Sequence, residues 1–178
     1  EEALRRTMFP DGEVFFSEGP PGEERVVLRM DEQGVARVYE GSRGEERRVR
    51  VDYPDGEKWF YMGEKDNEYV VRIATADGTD FYEGSTPDQI GRIVKSTDEE
   101  GVTTFYEGEA GSEHKVRVEA PGDQTVFFKG EQNEEVMVRV EWADGRTTIM
   151  EGPREKERIA SVKYPSGEKR FYESPEGE

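Results

Sequence analysis

The sequence contains no cysteine, a single histidine and no apolar run long enough to cross a membrane. The lack of cysteine excludes disulfides and thiolate chemistry. With His114 as the only histidine, zinc and iron sites of the ordinary type are also excluded. A membrane-spanning helix needs about 18 or more consecutive apolar residues, so we expect no transmembrane segment. The first residues, Glu1–Arg5, lack the character of a signal peptide.

Apolar residues are scarce as well. They make up 32% of the chain, and charged residues make up 38%. Ordinary globular chains are about 45–50% apolar, so we expect no thick buried core. Such a composition is also typical of disordered chains. The aromatic content of 11%, at regular positions, argues for a folded chain instead.

Basic residues are outnumbered by acidic ones, and the formal net charge is −17. A chain this acidic repels phosphate backbones and anionic lipid surfaces. We therefore expect neither nucleic acid nor an anionic membrane as a partner. A protein partner, or self-association, is compatible with this charge.

Glycine, in contrast, is frequent and periodic. One series recurs in steps of 21 to 23 residues, at Gly12, Gly34, Gly56, Gly78, Gly101, Gly122, Gly145 and Gly167. A second series has the same average period and runs through Gly19, Gly41, Gly63, Gly84, Gly108, Gly130 and Gly152, with Ser174 in the eighth place. Two series with one period identify a repeat of about 22 residues.

Each repeat has the pattern of a β-hairpin. A strand such as Lys115–Glu119 leads into a turn such as Tyr53-Pro54-Asp55-Gly56, and a second strand such as Thr103–Glu107 follows. Proline presets φ at the first corner of the turn and glycine accepts the positive φ. A polar loop such as Gly41–Glu45 then leads to the next hairpin. The first strand begins within Glu1–Arg6 when it is aligned by the repeat.

These patterns predict an all-β fold over residues 1–178, a single array of about eight 22-residue hairpins with about 16 strands. We expect tandem antiparallel hairpins to form an elongated, twisted, single-sheet β-meander. A closed barrel or a propeller is the alternative. Both termini lie in register with the repeat, and the last loop is Ser174–Glu178, as expected for a segment of a longer array. The step between Gly84 and Gly108 contains extra residues at Ser85–Gly91, which we interpret as a tolerated surface insertion, or alternatively a binding loop.

Stacking the repeats aligns two columns of side chains on neighbouring positions of the second strand. The first column is apolar throughout: Phe16, Val38, Phe60, Phe81, Phe105, Phe127, Ile149 and Phe171. The next position, rich in tyrosine, includes Tyr39, Tyr61, Tyr82, Tyr106 and Tyr172. Because side chains alternate along a strand, the two columns point to opposite faces. We expect the phenylalanine column to face whatever is buried, and we treat it as a candidate partner-binding surface.

A basic column runs along the first strands. It comprises Arg29, Arg50, Arg72, Lys95, Arg117 and Arg139, with Ser161 at the end. Valines such as Val49 and Val51 flank it, so strict alternation predicts that valine shares the phenylalanine face and arginine the tyrosine face. Cation–π contacts would then stabilise the tyrosine face. The tyrosine column could alternatively stack against a ligand.

The unit Tyr53–Gly63 resembles MORN-type hairpin repeats, which have a similar period and the same combination of glycine and aromatic residues. The resemblance runs over nearly the whole chain, although the Gly-x-Gly step of those repeats is missing. It implies an extended sheet used as a scaffold or assembly surface. A weaker similarity is to choline- or glucan-binding hairpin repeats, which use tryptophan regularly, whereas this chain has only Trp59 and Trp142.

No arrangement of residues predicts catalysis. Serine-nucleophile motifs and phosphate-binding loops are absent, and His114 lies at the start of a strand. We expect no catalytic residue, no metal site and no cofactor. A column of glutamates ends the second strands, which we interpret as a solvated rim: Glu18, Glu40, Glu83, Glu107, Glu151 and Glu173. The favoured function is a non-enzymatic structural or interaction module, and the alternative is a module that binds carbohydrate or another small ligand.

Overall fold

A computed structural model describes residues 4–173 of the chain. Its strands are β1 (Arg5–Met8), β2 (Val14–Glu18), β3 (Arg25–Met30), β4 (Ala36–Glu40), β5 (Arg47–Asp52), β6 (Lys58–Met62), β7 (Tyr69–Ala74), β8 (Gly78–Glu83), β9 (Arg92–Asp98), β10 (Thr103–Glu107), β11 (His114–Glu119), β12 (Gln124–Lys129), β13 (Val136–Trp142), β14 (Thr147–Glu151), β15 (Arg158–Lys163) and β16 (Lys169–Phe171). The expected loop Ser174–Glu178 and the first three residues of the expected first strand lie outside the described residues.

The strands follow one another across a single open antiparallel sheet, in the order of the chain. This confirms the predicted all-β meander of hairpins. The closed-barrel alternative is wrong, because β1 and β16 are the two edges of the sheet. The chain clusters into two compact units, Glu1–Gly91 and Arg92–Glu178, which contain β1–β8 and β9–β16. No helix that could cross a membrane occurs in residues 4–173.

The tight turns form as their sequence predicts. In the turn after β5, the N–H of Tyr53 donates to the Glu57 carbonyl at 2.8 Å, and the N–H of Gly56 donates to the Tyr53 carbonyl at 3.0 Å. The Asp55 carboxylate accepts a bond from the N–H of Glu57 at 3.0 Å. Gly56 has φ = 95°, a conformation that costs other residues strain. Asp55 therefore stabilises the turn through its hydrogen bond, and Gly56 adopts the positive φ that the turn requires.

Between hairpins the ladder contains a β-bulge. Phe60 is opposite Arg72, but Tyr61 is opposite Val70, so Val71 is the additional residue. The register shifts at the same place in five other junctions, after Phe16, Val38, Phe105, Phe127 and Ile149. A bulge interrupts strict alternation. The strict alternation of faces predicted from the sequence therefore does not hold through these strands.

The buried core is thin and lies mainly on the tyrosine face. The buried apolar side chains are Val14, Val51, Val70, Val140 and Val162, and none of the described side chains is completely buried. Val70 is opposite Tyr61, and Val51 is opposite Trp59, two residues before Tyr61. The expectation that the phenylalanine column faces the buried side is therefore wrong. Its members are half-buried, except Ile149 and Phe171, which are 38% and 72% exposed.

The loops between hairpins require close backbone approach. Gly130 has φ = 121°, and a Cβ atom there would lie 2.5 Å from the Glu134 carbonyl oxygen. Asn133, three residues later in the same loop, also has a positive φ of 66°. The corresponding residue of the preceding loop is Gly111, with φ = 86° and open space around it.

These environments predict losses of stability of different size for two substitutions in the second unit. We expect Gly130→Ala to lower the free energy of unfolding by about 2–3 kcal/mol, because it combines unfavourable φ with a backbone clash. Gly111→Asn should cost less than about 1 kcal/mol, since asparagine tolerates the left-handed region. Urea denaturation measures both. Equal losses would contradict this account of the loop.

Candidate binding faces of the sheet

The phenylalanine and arginine columns lie on the same face, which we call the phenylalanine face. Phe60 is directly opposite Arg50 on one side and Arg72 on the other. Directly opposed residues in an antiparallel pair point to the same face of the sheet. In the second unit the row continues without a break through Lys95, Phe105, Arg117, Phe127, Arg139, Ile149, Ser161 and Phe171. The predicted separation of arginine from phenylalanine is therefore wrong.

One member of the predicted basic column belongs elsewhere. Leu28, and not Arg29, is opposite Phe16 and Val38. Arg29 is opposite Phe15 and Arg37 on the other face. The repeat alignment that matches Arg29 with Arg50 is out of register by one residue. A shift of one residue along a strand moves a side chain to the opposite face of the sheet.

Arginine side chains cover the phenylalanine rings at the junctions between hairpins. The guanidinium carbon lies 3.5 Å from the ring centre for Arg72 on Phe60, and 3.9 Å for Arg117 on Phe105. Arg139 lies 3.7 Å from the ring centre of Phe127. Stacked contacts of this kind contribute about 0.5–1 kcal/mol at exposed sites and more where water is excluded. The face is therefore stabilised by pairs of cation and aromatic ring.

Carboxylates two residues along the strand neutralise several of these arginines. The Nε–carboxylate distances are 2.7 Å for Arg50 and Asp52, 3.1 Å for Arg117 and Glu119, and 3.4 Å for Arg139 and Glu141. The three Nε atoms are buried, and none makes an aligned hydrogen bond within the described residues. These contacts are ion pairs without hydrogen-bond geometry, so we regard the guanidinium groups as held mainly by the rings.

A shallow groove lies on the phenylalanine face of the second unit, with a volume of about 380 Å³. Its lining comprises Phe105, Phe127, Val94, the bulge residue Val116 and Arg117, together with Tyr106 and Glu107. The bulge explains this composition, because it brings a valine beside each arginine on one face. Strict alternation predicted that the two valines flanking an arginine in the sequence, such as Val49 and Val51, share a face. Because of the bulge, they do not.

The tyrosine column lies on the other face, as predicted. Tyr61 is half-buried, and the guanidinium carbon of Arg48 lies 4.1 Å from the centre of its ring. Burial raises the pKa of the Tyr61 hydroxyl, against an opposing effect of Arg48. Tyr39, Tyr82 and Tyr106 are half-buried, whereas Tyr172 is 45% exposed. Tyrosines occupy this position in successive hairpins of each unit, but the ring of Tyr61 is already in contact with the guanidinium group of Arg48.

A third set of functional groups was missed by the sequence analysis. These are the glutamates that immediately precede a first strand, which we call the loop glutamates: Glu24, Glu46, Glu68, Glu113, Glu135 and Glu157. Glu113 accepts bonds from the N–H of Ile93 at 3.1 Å and of Gly111 at 2.9 Å. Glu135 accepts from the N–H of Lys115 at 3.2 Å. Glu113 and Glu135 thus each join their own hairpin to the preceding one.

The same contact recurs at a separation of 20 residues from Glu68 to Arg48 and from Glu157 to Met137. Backbone N–H groups, first its own and then those of Ile93 and Gly111, hold the pKa of Glu113 below its ordinary value, against an opposing effect of burial. The glutamate at the end of six polar loops was the available signal in the sequence. It was overlooked because carboxylates are so abundant in this chain.

The predicted glutamate rim is partly paired. Glu18 contacts Arg25, and Glu151 lies 2.8 Å from Arg158. The extended loop Ser85–Gly91 forms a small turn of its own, in which the N–H of Thr86 donates to the Gln89 carbonyl at 2.8 Å. This loop has no glutamate before β9, so it lacks the contact that Glu68, Glu113, Glu135 and Glu157 make with the preceding hairpin. His114 is half-buried in the first position of β11.

A search of residues 4–173 finds no group of three or more histidine, cysteine, aspartate or glutamate residues that could hold a metal ion. No protein-family model and no curated protein matches the chain, so the roles of its residues are argued from geometry.

Placement of phenylalanine and arginine on one face predicts energetic coupling between them. In a double-mutant cycle of Phe60→Leu and Arg72→Met, we expect a coupling of about 0.5–1 kcal/mol in the free energy of unfolding. The control cycle pairs Phe60→Leu with Arg48→Met, on the opposite face, and should give less than about 0.3 kcal/mol. Similar values from the two cycles would contradict the face assignment.

The loop glutamates predict a dependence of stability on pH. Because the pKa of Glu135 is lowered in the folded chain, mainly by its backbone hydrogen bonds, its contribution is present above the pKa of the unfolded chain. It is lost as the pH falls through the lower pKa of the folded chain. Glu135→Gln should therefore reduce the loss of stability between neutral pH and about pH 3. Urea denaturation at each pH measures this, with Glu131→Gln, an exposed glutamate of the same loop, as the control. An unchanged pH profile for Glu135→Gln would refute the role of the contact.

Proposed function

We propose that this chain is a non-enzymatic interaction module that binds a protein partner on its phenylalanine face. The observation that carries the proposal is the row of half-buried aromatic rings alternating with arginines around the groove at Phe105 and Phe127. Aromatic residues and arginine are the types enriched at protein–protein interfaces and among their strongest contacts.

The side chains that line this face indicate which groups a partner would present. The groove is lined by Val94, Val116 and two phenylalanine rings, together with Tyr106, Glu107 and the guanidinium group of Arg117, which stacks on Phe105. A matching partner would insert an apolar side chain and offer a carboxylate or carbonyl to the guanidinium group. The net charge of −17 also disfavours nucleic acid and anionic membranes. The resemblance to MORN-type repeats points to the same class of scaffold function.

Binding of carbohydrate by the tyrosine column has less support. Sugar rings stack on an open aromatic face, and the Tyr61 ring is covered by Arg48 at 4.1 Å. In the equivalent place of a later repeat, Lys115 lies 4.1 Å from the ring centre of Phe128. A ligand would have to displace these cations before it could stack.

Two isoleucines on opposite faces provide a matched test. Ile149 is on the phenylalanine face and is 38% exposed, whereas Ile159, opposite Met150 on the tyrosine face, is 42% exposed. Peptides selected from a displayed random library against the chain should lose at least about tenfold in affinity on Ile149→Glu, or about 1.4 kcal/mol. They should bind Ile159→Glu unchanged.

Titration calorimetry with the selected peptides measures these affinities. Peptides that respond only to Ile159→Glu would transfer the binding surface to the tyrosine face and refute the proposal. A glycan array that binds the chain, and loses binding on Tyr172→Ala, would favour the carbohydrate alternative.

A further inference from the structure

The first residue of several first strands is an arginine that reaches the loop at the end of its own hairpin. Its guanidinium group donates to the carbonyl of the glycine 16 residues later, at distances of 2.7, 3.2 and 3.3 Å in the pairs Arg25 and Gly41, Arg47 and Gly63, and Arg92 and Gly108. We call the first residue of a first strand the bridging position, because an arginine there joins the start of a hairpin to its end.

A glutamate of the preceding strand faces the same arginine. Such pairs are directly opposite in the ladder and form ion pairs: Arg25 with Glu18, Arg47 with Glu40, and Arg158 with Glu151. Arg25 and Arg47 therefore each contact one carboxylate and one loop carbonyl. A guanidinium group suits such a pair of acceptors, because its donors are arranged in a planar fork.

The bridging position of β11 holds His114 instead. Glu107 is directly opposite it, and Gly130 is the glycine 16 residues later. The imidazole ring lies against the loop before β11, since a Cβ atom on Gly108 would be 3.3 Å from its Nδ1. Within residues 4–173, nothing donates a hydrogen bond to the Gly130 carbonyl, and the Glu107 carboxylate has no ion pair. Both acceptors of a bridging arginine are therefore present without the arginine.

The other bridging positions without arginine lack the glutamate too. Tyr69 is opposite Met62, and Val136 is opposite Lys129. Among the bridging positions from β3 to β15, only that of β11 keeps the carboxylate while the arginine is replaced. This combination favours a cation from outside the chain as the partner of Glu107.

A pocket lies beside His114, with a volume of about 480 Å³, and is lined by Gly108, Ser112, His114, Glu131 and Gln132. It lies between the loop before β11 and the loop after β12. Ligand pockets typically have volumes of about 300–1,000 Å³, so there is room for an arginine side chain. Glu131, next to Gly130, adds an exposed carboxylate that has no ion pair within the described part of the chain.

From these features we propose that the pocket binds the guanidinium group of an arginine side chain presented by a partner protein. The group donates to the Gly130 carbonyl and contacts the Glu107 carboxylate, as Arg47 does with the equivalent residues of its own junction. The net charge of −17 attracts a basic partner. Lysine fits less well, because its ammonium group is a point charge without the planar fork.

Titration of the isotope-labelled whole chain with the peptide acetyl-Gly-Gly-Arg-Gly-Gly-amide, followed by heteronuclear NMR at physiological ionic strength, tests the proposal. We expect millimolar affinity, with amide shifts centred on Ser112, His114 and Gln132. The same peptide with lysine in place of arginine should bind at least about threefold more weakly, because it loses one aligned hydrogen bond. The two peptides have the same charge, so equal affinities would show non-specific attraction and overturn the proposal.

Substitutions of His114 separate the pocket from the imidazole ring. His114→Arg places the chain's own guanidinium group in the pocket and should abolish binding of the arginine peptide, whereas His114→Ala leaves the pocket open and should retain it. Glu107→Gln should weaken binding about three- to fivefold, as expected for an exposed ion pair. Glu151→Gln is the matched control, because the Glu151 carboxylate already lies 2.8 Å from Arg158, and it should bind the peptide unchanged.

Circular dichroism establishes that each variant is folded, as expected for His114→Arg because four other bridging positions hold arginine. Undiminished binding of the arginine peptide to His114→Arg would overturn the proposal, and so would amide shifts that avoid Ser112 and Gln132. The site goes beyond partner binding on the phenylalanine face. Ile149→Glu should therefore bind the arginine peptide unchanged, which separates this test from that of the proposed function.

Discussion

Every hairpin in this chain depends on the junction with the next hairpin. A two-stranded ribbon is marginally stable at best in water, and repeats of this kind gain stability from their neighbours. Here the buried core consists of single valines such as Val51 and Val140, so apolar burial is limited. Further contacts occur at individual junctions: a bulged ladder, an arginine over the ring of Phe60, Phe105 or Phe127, and a loop glutamate that reaches the preceding hairpin.

The high charge of the chain follows from this architecture. A sheet of one layer cannot enclose its side chains, so both faces must be compatible with water. Arginine meets this requirement because its guanidinium group covers a ring while remaining hydrated at its edge. Carboxylates such as Asp52 and Glu119 then neutralise the arginines along the strand. The scarcity of apolar residues therefore reflects a fold that substitutes stacked cations for much of a core.

Much of the fold could be predicted from the period of the glycines and from the turn motifs. The Pro-Asp-Gly turns and the close-approach glycines act through the local backbone, so their effect is visible in a single repeat. The faces were predicted wrongly because a bulge is a property of two paired strands. Val71 is an ordinary strand residue in the sequence, and only its register against Phe60 and Tyr61 shows that alternation is interrupted. The same shift decides which side chains Arg72 and Val70 contact.

The central claim is that phenylalanine and arginine share one face and stack at the junctions of Phe60, Phe105 and Phe127, and nuclear Overhauser effects between their side chains test it most directly. The account predicts contacts from the ring protons of Phe60 to the δ-methylene of Arg72, with the methylene shifted upfield by the ring current. Contacts from Arg72 to the ring of Tyr61 instead, with none to Phe60, would place arginine on the tyrosine face and contradict the account.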